Sequence, residues 1–254
     1  MTARQKTSPV REIADTLRKR ISSRELEPGA KLPSTRLLAK EFKVSEQVIY
    51  RVVVSLKESG HVIAHQGMGV FVRIYDPLEW NPGEFERRDR HDDPNTNTDD
   101  WKAQVRAQGR HPEQDVPIVR REPATEDVAR WLKINPRDNV VARRRLRWVD
   151  GEPSQIADSY FPEWAAEGTP LLEERDVTMP GGILAATGNP QRFFRDELTT
   201  RMPTPEEEQR MDLPPGTPVC QHVRIGLLAD RTPVRAMVTI CPGDRHVIVY
   251  EMEV

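Results

Sequence analysis

The sequence predicts an α+β protein of two domains, a small helical unit ending in a hairpin and a larger unit built on antiparallel strands with helices. Three observations predict it. Apolar residues recur at helical spacing through residues 10–56. A charged, proline-rich stretch, 76–98, then interrupts the chain. Beyond it, strand-like runs pair across the turn signals Asp150-Gly151 and Asp230-Arg231.

In the first unit, Val10, Ile13, Ala14, Leu17 and Ile21 mark one face of a helix, with Pro9 suited to its first turn. Pro28-Gly29 breaks the chain. Ser34 caps a second helix whose apolar face is read as Leu37, Leu38 and Phe42. Ser45 caps a third, with Ile49, Val52, Val53 and Leu56 turned inward and Gly60 at its end. His61–His65 and Val70–Ile74 are strand-like around the glycine-rich turn Gln66-Gly67-Met68-Gly69.

The stretch 76–98 carries dense charge and few aliphatic residues, so it reads as a linker. In the second unit, 99–108 and 125–132 read as helices. Asn139–Val149 and Pro153–Phe161 form one hairpin, Val219–Ala229 and Pro233–Cys241 another. Thr204-Pro205-Glu206-Glu207 opens a short helix, and Val247–Glu253 closes the chain as a strand.

Composition narrows the function class. Of 254 residues, 37% are hydrophobic and 31% charged, and no apolar run approaches a membrane span. Met1–Arg11 is basic and lacks the apolar core of a secretory signal, and the presence of only two cysteines makes a reducing, cytoplasmic setting the expectation. The two cysteines, Cys220 and Cys241, make no disulfide framework and read as buried free thiols. The histidines show no metal-ligand spacing, since His61 and His65 fall on a strand and turn; no metal or cofactor is expected. Residues 1–75 hold 14 Lys+Arg against 7 Asp+Glu, a balance of +7, whereas the net charge of −2 leaves −9 for the remainder. A basic unit on an acidic protein points to a polyanion partner for that unit alone.

Helix two, a short turn and helix three make a helix-turn-helix, whose second helix reads base edges in the major groove. With the apolar residues facing in, Glu46, Gln47, Tyr50, Arg51 and Val54 face out. Gln47 suits adenine and Glu46 cytosine; Tyr50 suits a thymine methyl or a phosphate. The helix starts at Ser34 and Ser45 suit phosphate oxygens, and Arg36 is placed to enter the groove or clamp the backbone. The wing tip Gln66-Gly67 can approach the minor groove because glycine lets backbone come close.

This stretch resembles the winged helix of the GntR family of bacterial regulators. The resemblance rests on Pro28-Gly29, Leu32-Pro33-Ser34-Thr35-Arg36, Val44-Ser45, Leu56, Gly60 and Gln66-Gly67-Met68-Gly69 with Phe71-Val72. It implies DNA contacts at Arg36, at the start of the recognition helix and at Gly67. Two positions depart from the pattern: the family usually has arginine where Glu46 sits and threonine where Val48 sits. They imply a different operator, with Gln47, Tyr50 and Arg51 carrying more of the reading.

Residues 99–254 resemble the UTRA effector domain of the HutC-type branch. The matching pieces include Asp127-Val128-Ala129, Arg143–Arg147 leading to Asp150-Gly151-Glu152-Pro153, Ser159-Tyr160-Phe161-Pro162, Pro180-Gly181-Gly182 and Leu213-Pro214-Pro215-Gly216-Thr217-Pro218-Val219. The resemblance implies a chorismate-lyase-like antiparallel sheet, a small-molecule effector and a homodimer. It marks Arg145 and Arg147 as ligand contacts, with Ser159 and Tyr160 beside them. On a strand, Arg143, Arg145 and Arg147 share one face and repel one another unless something negative meets them. An anionic ligand is one answer; the domain's own acids are another. Gly181 and Gly182 precede a short helix and either hold an anion or simply form a turn. Relatives often carry acids where this chain has Ala157 and Arg235, a change that favours anions and adds Arg235 to the effector residues.

The resulting expectation is a non-enzymatic, ligand-responsive repressor that binds a palindromic operator as a dimer. The alternatives are a regulator whose second domain only dimerises, or an enzyme tethered to DNA.

Overall fold

The computed structural model describes residues 8–65, 67–74, 76–84, 99–177, 179, 183–214 and 216–251. It divides into two compact units, 1–76 with 214–217, and 77–213 with 218–254.

In the first unit, α1 is Pro9–Ser22, α2 Thr35–Phe42 and α3 Glu46–Glu58. Each begins on a serine whose hydroxyl accepts a backbone N–H two or three residues into the helix: Ser8 from Arg11, Ser34 from Leu37, Ser45 from Val48. Lys43, left-handed at φ 55°, ends α2 and turns the chain sharply into α3. Ile13, Leu17, Leu38, Ile49, Val52 and Leu56 are buried together as the core. Leu37, expected inside, is instead 60% exposed. The inward face of α2 runs through Leu38 and Phe42, four residues apart, with Ala39 beside them, and Leu37 falls off it. Arg20 ties α1 to α2 through Glu41 at 2.5 Å and lies 5.5 Å from the Phe42 ring centre. The strands β1 (Val62–His65) and β2 (Gly69–Val72) pair antiparallel as the wing, and Lys31 bridges to Phe71.

The second unit begins earlier than the sequence suggests. The linker reading fails over 78–84, where β3 (Leu78–Trp80) precedes a 3-10 turn, Pro82–Glu84. Leu78 and Trp80 are buried, and β3 pairs in parallel with β11, His246–Ile248. That strand is shorter than the predicted Val247–Glu253, whose last two positions lie outside the described residues. The remaining linker positions, 85–98, lie outside them too.

A seven-stranded sheet forms the body of this unit. In chain order its strands are β4 (Pro112–Gln114), β5 (Ile118–Pro123), β6 (Asn139–Val149), β7 (Glu152–Pro162), β8 (Phe193–Arg201), β9 (Val219–Leu227) and β10 (Pro233–Pro242). They run β4-β6-β7-β10-β9-β8, with β5 also on β6, and all these pairings are antiparallel. Two tight connections, at Asp150-Gly151 and Asp230-Arg231, match the expected hairpins; Asp150, Gly151 and Arg231 all take positive φ. Strands β4, β5 and β8 have no counterpart in the sequence reading.

The helices of this unit are α4 (Asp100–Ala107), α5 (Glu126–Leu132), α6 (Glu163–Ala166), α7 (Ile183–Ala186) and α8 (Pro205–Arg210). One sheet face packs Val223, Ile225 and Ala236 against α5 through Val128, Ala129 and Leu132. The other packs Phe161, Val141 and Val234 against α6 and α7 through Ala165, Ala166 and Leu184. Among the described residues no helix is long and apolar enough to cross a membrane.

Candidate DNA-reading edge and effector face

On α3 the helical period separates two roles. Ile49, Val52 and Leu56 are fully buried, with Val53 partly so. Glu46, Gln47, Tyr50 and Arg51 are exposed, Tyr50 by 66% and Val54 by 36%. Arg36, in the first turn of α2, is exposed as well. The structure thus brings Ser34, Arg36, Ser45, Glu46, Gln47, Tyr50 and Arg51 to the outside of one helix-turn-helix. At the wing tip Gly67 takes φ 74°, a conformation L side chains rarely adopt, and no atom lies within 4 Å of where a Cβ would stand. Gln66 lies outside the described residues.

In the second unit the side chains of Arg143, Arg145 and Arg147 alternate with those of Arg144 and Leu146 along β6, so the three share a face as predicted. Each meets something negative. Arg143 is buried and donates to the carbonyls of Leu171 at 2.6 Å, Glu173 at 2.8 Å and Arg175 at 2.8 Å. Arg145 donates to Asp176 at 2.7 Å. Arg147 reaches Asp99 at 3.7 Å and lies 4.8 Å from the Trp101 ring centre. Burial, then the neighbouring Arg145 and Arg235, lower Arg143 to about 10. Burial lowers Arg147 to about 10 too, against the pull of Asp99. Burial pushes the Asp99 carboxyl up, but Arg147 and the Lys102 backbone N–H outweigh it, and the net shift is downward.

Arg235 joins this face, donating to Ser159 Oγ at 3.2 Å. Ser159 stands opposite Arg143 across the β6–β7 pair. Tyr160, the next residue, must point the other way. It packs with the α5 cluster, with Arg144 5.6 Å from its ring centre, so the structure does not bring it to the arginines. Gly181 and Gly182 lie outside the described residues. Sequence reasoning missed the acids Asp99 and Asp176, and also Gln114, whose amide donates to Asp176 at 2.7 Å. All three are far from β6 in the chain, and only the N-cap position of Asp99 offers any local signal.

Farther along the same face, Arg224 donates twice to Asp196, at 2.8 and 2.7 Å, and once to the Pro82 carbonyl. His222 and the Tyr250 hydroxyl also meet Asp196, each at 3.0 Å. Cys220 and Cys241 are free thiols directly opposite on β9 and β10; Cys241 is buried and Cys220 half-buried. Among the described residues no group of three or more His, Cys, Asp or Glu could hold a metal ion.

Comparison with known proteins matches the two halves of the chain to two different profiles. The UTRA domain profile matches residues 107–247, and that of bacterial regulatory proteins of the gntR family matches residues 9–72. An uncharacterised HTH-type transcriptional regulator of Streptomyces coelicolor is 27% identical over 250 residues, 96% of this chain and 92% of its own. The HTH-type transcriptional regulator GgaR of Escherichia coli is 24% identical, covering 94% of this chain and 89% of its own. MngR of Escherichia coli, a mannosyl-D-glycerate transport/metabolism system repressor, is 26% identical, covering 87% and 85%. Among solved structures, PhnF from Mycobacterium smegmatis shares the fold at a TM-score of 0.56, with 17% identity over 96% of this chain and 99% of its own. A GntR-family transcriptional regulator does so at 0.66, with 21% identity and 98% of each chain covered.

Proposed function

As this chain belongs to the GntR family of bacterial regulatory proteins with a UTRA domain, it is a helix-turn-helix transcriptional regulator with an effector-binding domain, and we propose that it is a dimeric repressor of a palindromic operator, released or tightened by a small anionic metabolite. Residues 1–75 are the DNA-binding part; residues 99–254 bind the effector and dimerise. The observation that carries the reading is the bare edge of α3, Glu46, Gln47, Tyr50 and Arg51, on a helix whose other side is locked into a core. A helix so held presents its first turns to the major groove. Ser34, Ser45, Arg36 and the wing tip at Gln66-Gly67 supply backbone contacts. A palindrome needs two such heads related by a two-fold axis. The similar protein MngR is a repressor, which supports that sign of control.

Arg145, Arg147, Ser159 and Arg235 support the anionic effector; Tyr160 takes no direct part in this reading. The effector acts only if it binds the DNA-competent and DNA-incompetent states with different affinity. Band shifts with palindromic DNA from the gene's own neighbourhood, with and without sugar phosphates and carboxylates, test the proposal. A shift well below the protein concentration needed for random duplex, altered by one of the anions, is expected. Binding no tighter than to random duplex defeats it.

One observation favours a second reading, in which the UTRA domain only dimerises: Arg143 and Arg147 already find partners within the protein. In that case no metabolite raises the melting temperature.

A further inference from the structure

The effector reading uses the cations of the face and leaves two neutral side chains unexplained. Gln155 and Thr239 are completely buried, yet Gln155 Nε2 and Oε1 and Thr239 Oγ1 have no hydrogen-bond partner. A buried polar group left unmet carries its full desolvation cost, so such groups usually have a partner or a use. Their position is informative. Across β6, β7 and β10, Gln155 stands opposite Arg147, and Ala157 stands between Arg145 and Thr239. Cross-strand neighbours of this kind lie roughly 4.5–5.5 Å apart at Cβ. Ala157 brings only a methyl group between two polar neighbours. Gln155 and Thr239 therefore flank Ala157 on the face of the sheet that also carries Arg145 and Arg147.

Asp176 supplies the second observation. Its carboxylate reaches in from outside the sheet to Arg145 at 2.7 Å, Gln114 at 2.7 Å and Lys102 at 3.6 Å, while its side chain stays 44% exposed. Two carboxylates, Asp99 and Asp176, meet three cations, Arg145, Arg147 and Lys102. A carboxylate held this way by exposed geometry is one a ligand's anion can replace without unfolding anything.

We propose that Gln155 and Thr239 are the neutral specificity residues of the effector site, reading hydroxyl groups of a ligand whose phosphate or carboxylate takes the place of Asp176 at Arg145. The proposal rests on the anionic-effector reading and adds a class to it: a hydroxylated anion. The amide offers both a donor and an acceptor, and the hydroxyl either, which is what a polyol chain or sugar ring requires.

Calorimetric titration of the full chain with two matched pairs tests it: sorbitol 6-phosphate against hexyl phosphate, and gluconate against hexanoate. The phosphate and carboxylate arms distinguish the two sources of charge. In the preferred arm the hydroxylated member binds at least about tenfold more tightly, since a site built for hydroxyls rejects the analogue lacking them. Gln155→Met and Thr239→Val erase that preference but leave the alkyl anion's affinity unchanged. Asp176→Asn tightens both members of the pair. Neither Gln155→Met nor Thr239→Val lowers the melting temperature of the free protein, because each removes an unmet polar group. Equal binding within both pairs, or a preference that survives both variants, overturns this inference and leaves the anionic effector standing. Silence from all four anions with both the native chain and Asp176→Asn overturns the parent reading and this one with it.

Discussion

On α3 the polar residues stand in solvent: Glu46, Gln47 and Arg51 are exposed, and Tyr50 keeps its ring out by 66%. On the sheet the polar residues are enclosed: Arg143, Arg147, Gln155, His222 and Arg224 are all buried. The winged helix spends its apolar residues on one core and leaves its chemistry outside, where a large polyanion can meet it with little prior order. The sheet interleaves its chemistry with its core, so each charge there must be answered within the fold. The contrast teaches where mutations should be felt. The exposed side chains along the α3 edge should govern binding without touching stability, and the enclosed charges of the sheet should govern stability first.

The largest effect expected from this contrast is at Asp196. Asp196→Asn removes the carboxylate that the buried Arg224 grips through two hydrogen bonds and should cost about 3–5 kcal/mol in urea denaturation. Burial pushes the Asp196 carboxyl up, but hydrogen bonds from Arg224 and His222 outweigh it and hold it below the usual carboxylate range. Its stabilisation is therefore present above the unfolded-state value near about 4 and is lost as pH falls toward the depressed folded value. The variant should lack that acid-side decline; a variant as stable as the native chain would break the contrast.

Gln47→Ala should act the opposite way. Operator affinity is expected to fall by about 1–3 kcal/mol, with discrimination relaxed at a single base pair and the melting temperature unmoved. Competition against single-base variants of the operator reads this directly.

Asp158 sharpens the comparison, because it is an enclosed group whose partner is poorly placed. Arg144 Nε stands 3.8 Å away, and Oδ1 has no hydrogen-bond partner. Burial raises the carboxyl to about 6, against the pull of Arg210 and Arg144. A raised folded value penalises the charged form, so the penalty is full above about pH 6 and fades as pH drops through the unfolded carboxylate range. Asp158→Asn should thus gain about 1–2 kcal/mol at pH 7 and nothing at pH 3.5. The smallest effect belongs to the cap of the reading helix. Ser45→Ala should cost about 1 kcal/mol of stability, seen as faster amide exchange in the first turn of α3.

The winged helix was legible in the sequence because its signals are local. Serine caps, the Pro28-Gly29 break and the helical period of α3 each act within a few residues. Leu37 misled because a run of two leucines does not say which one faces in. The two hairpins of the sheet were legible for the same reason, through their turns. Strand β8 was not: as an edge strand with Phe193, Phe194 and Leu198 partly exposed, it shows no alternation between an apolar and a polar face. Strand β3 hid within a charged stretch, although its buried-exposed-buried pattern over Leu78–Trp80 fits the strand period. In the effector face, the arginine row could be read from β6 alone. Its answers could not, because Asp99, Gln114 and Asp176 arrive from three separate segments, and Tyr160, named within the Ser159-Tyr160-Phe161-Pro162 resemblance, lies on the opposite face of β7.

The parallel ladder between β3 and β11 decides how the ligand-binding half can be isolated. A fragment cut at Asp99, where composition would place the border, discards Leu78 from the cluster around Trp101, Val105 and Val149. It also strips Trp80 from His222, against which it stacks edge-on at 5.0 Å, and leaves His246–Ile248 with an open edge. Such a piece invites strand exchange between copies and should precipitate, whereas one begun at Pro77 retains its own seam.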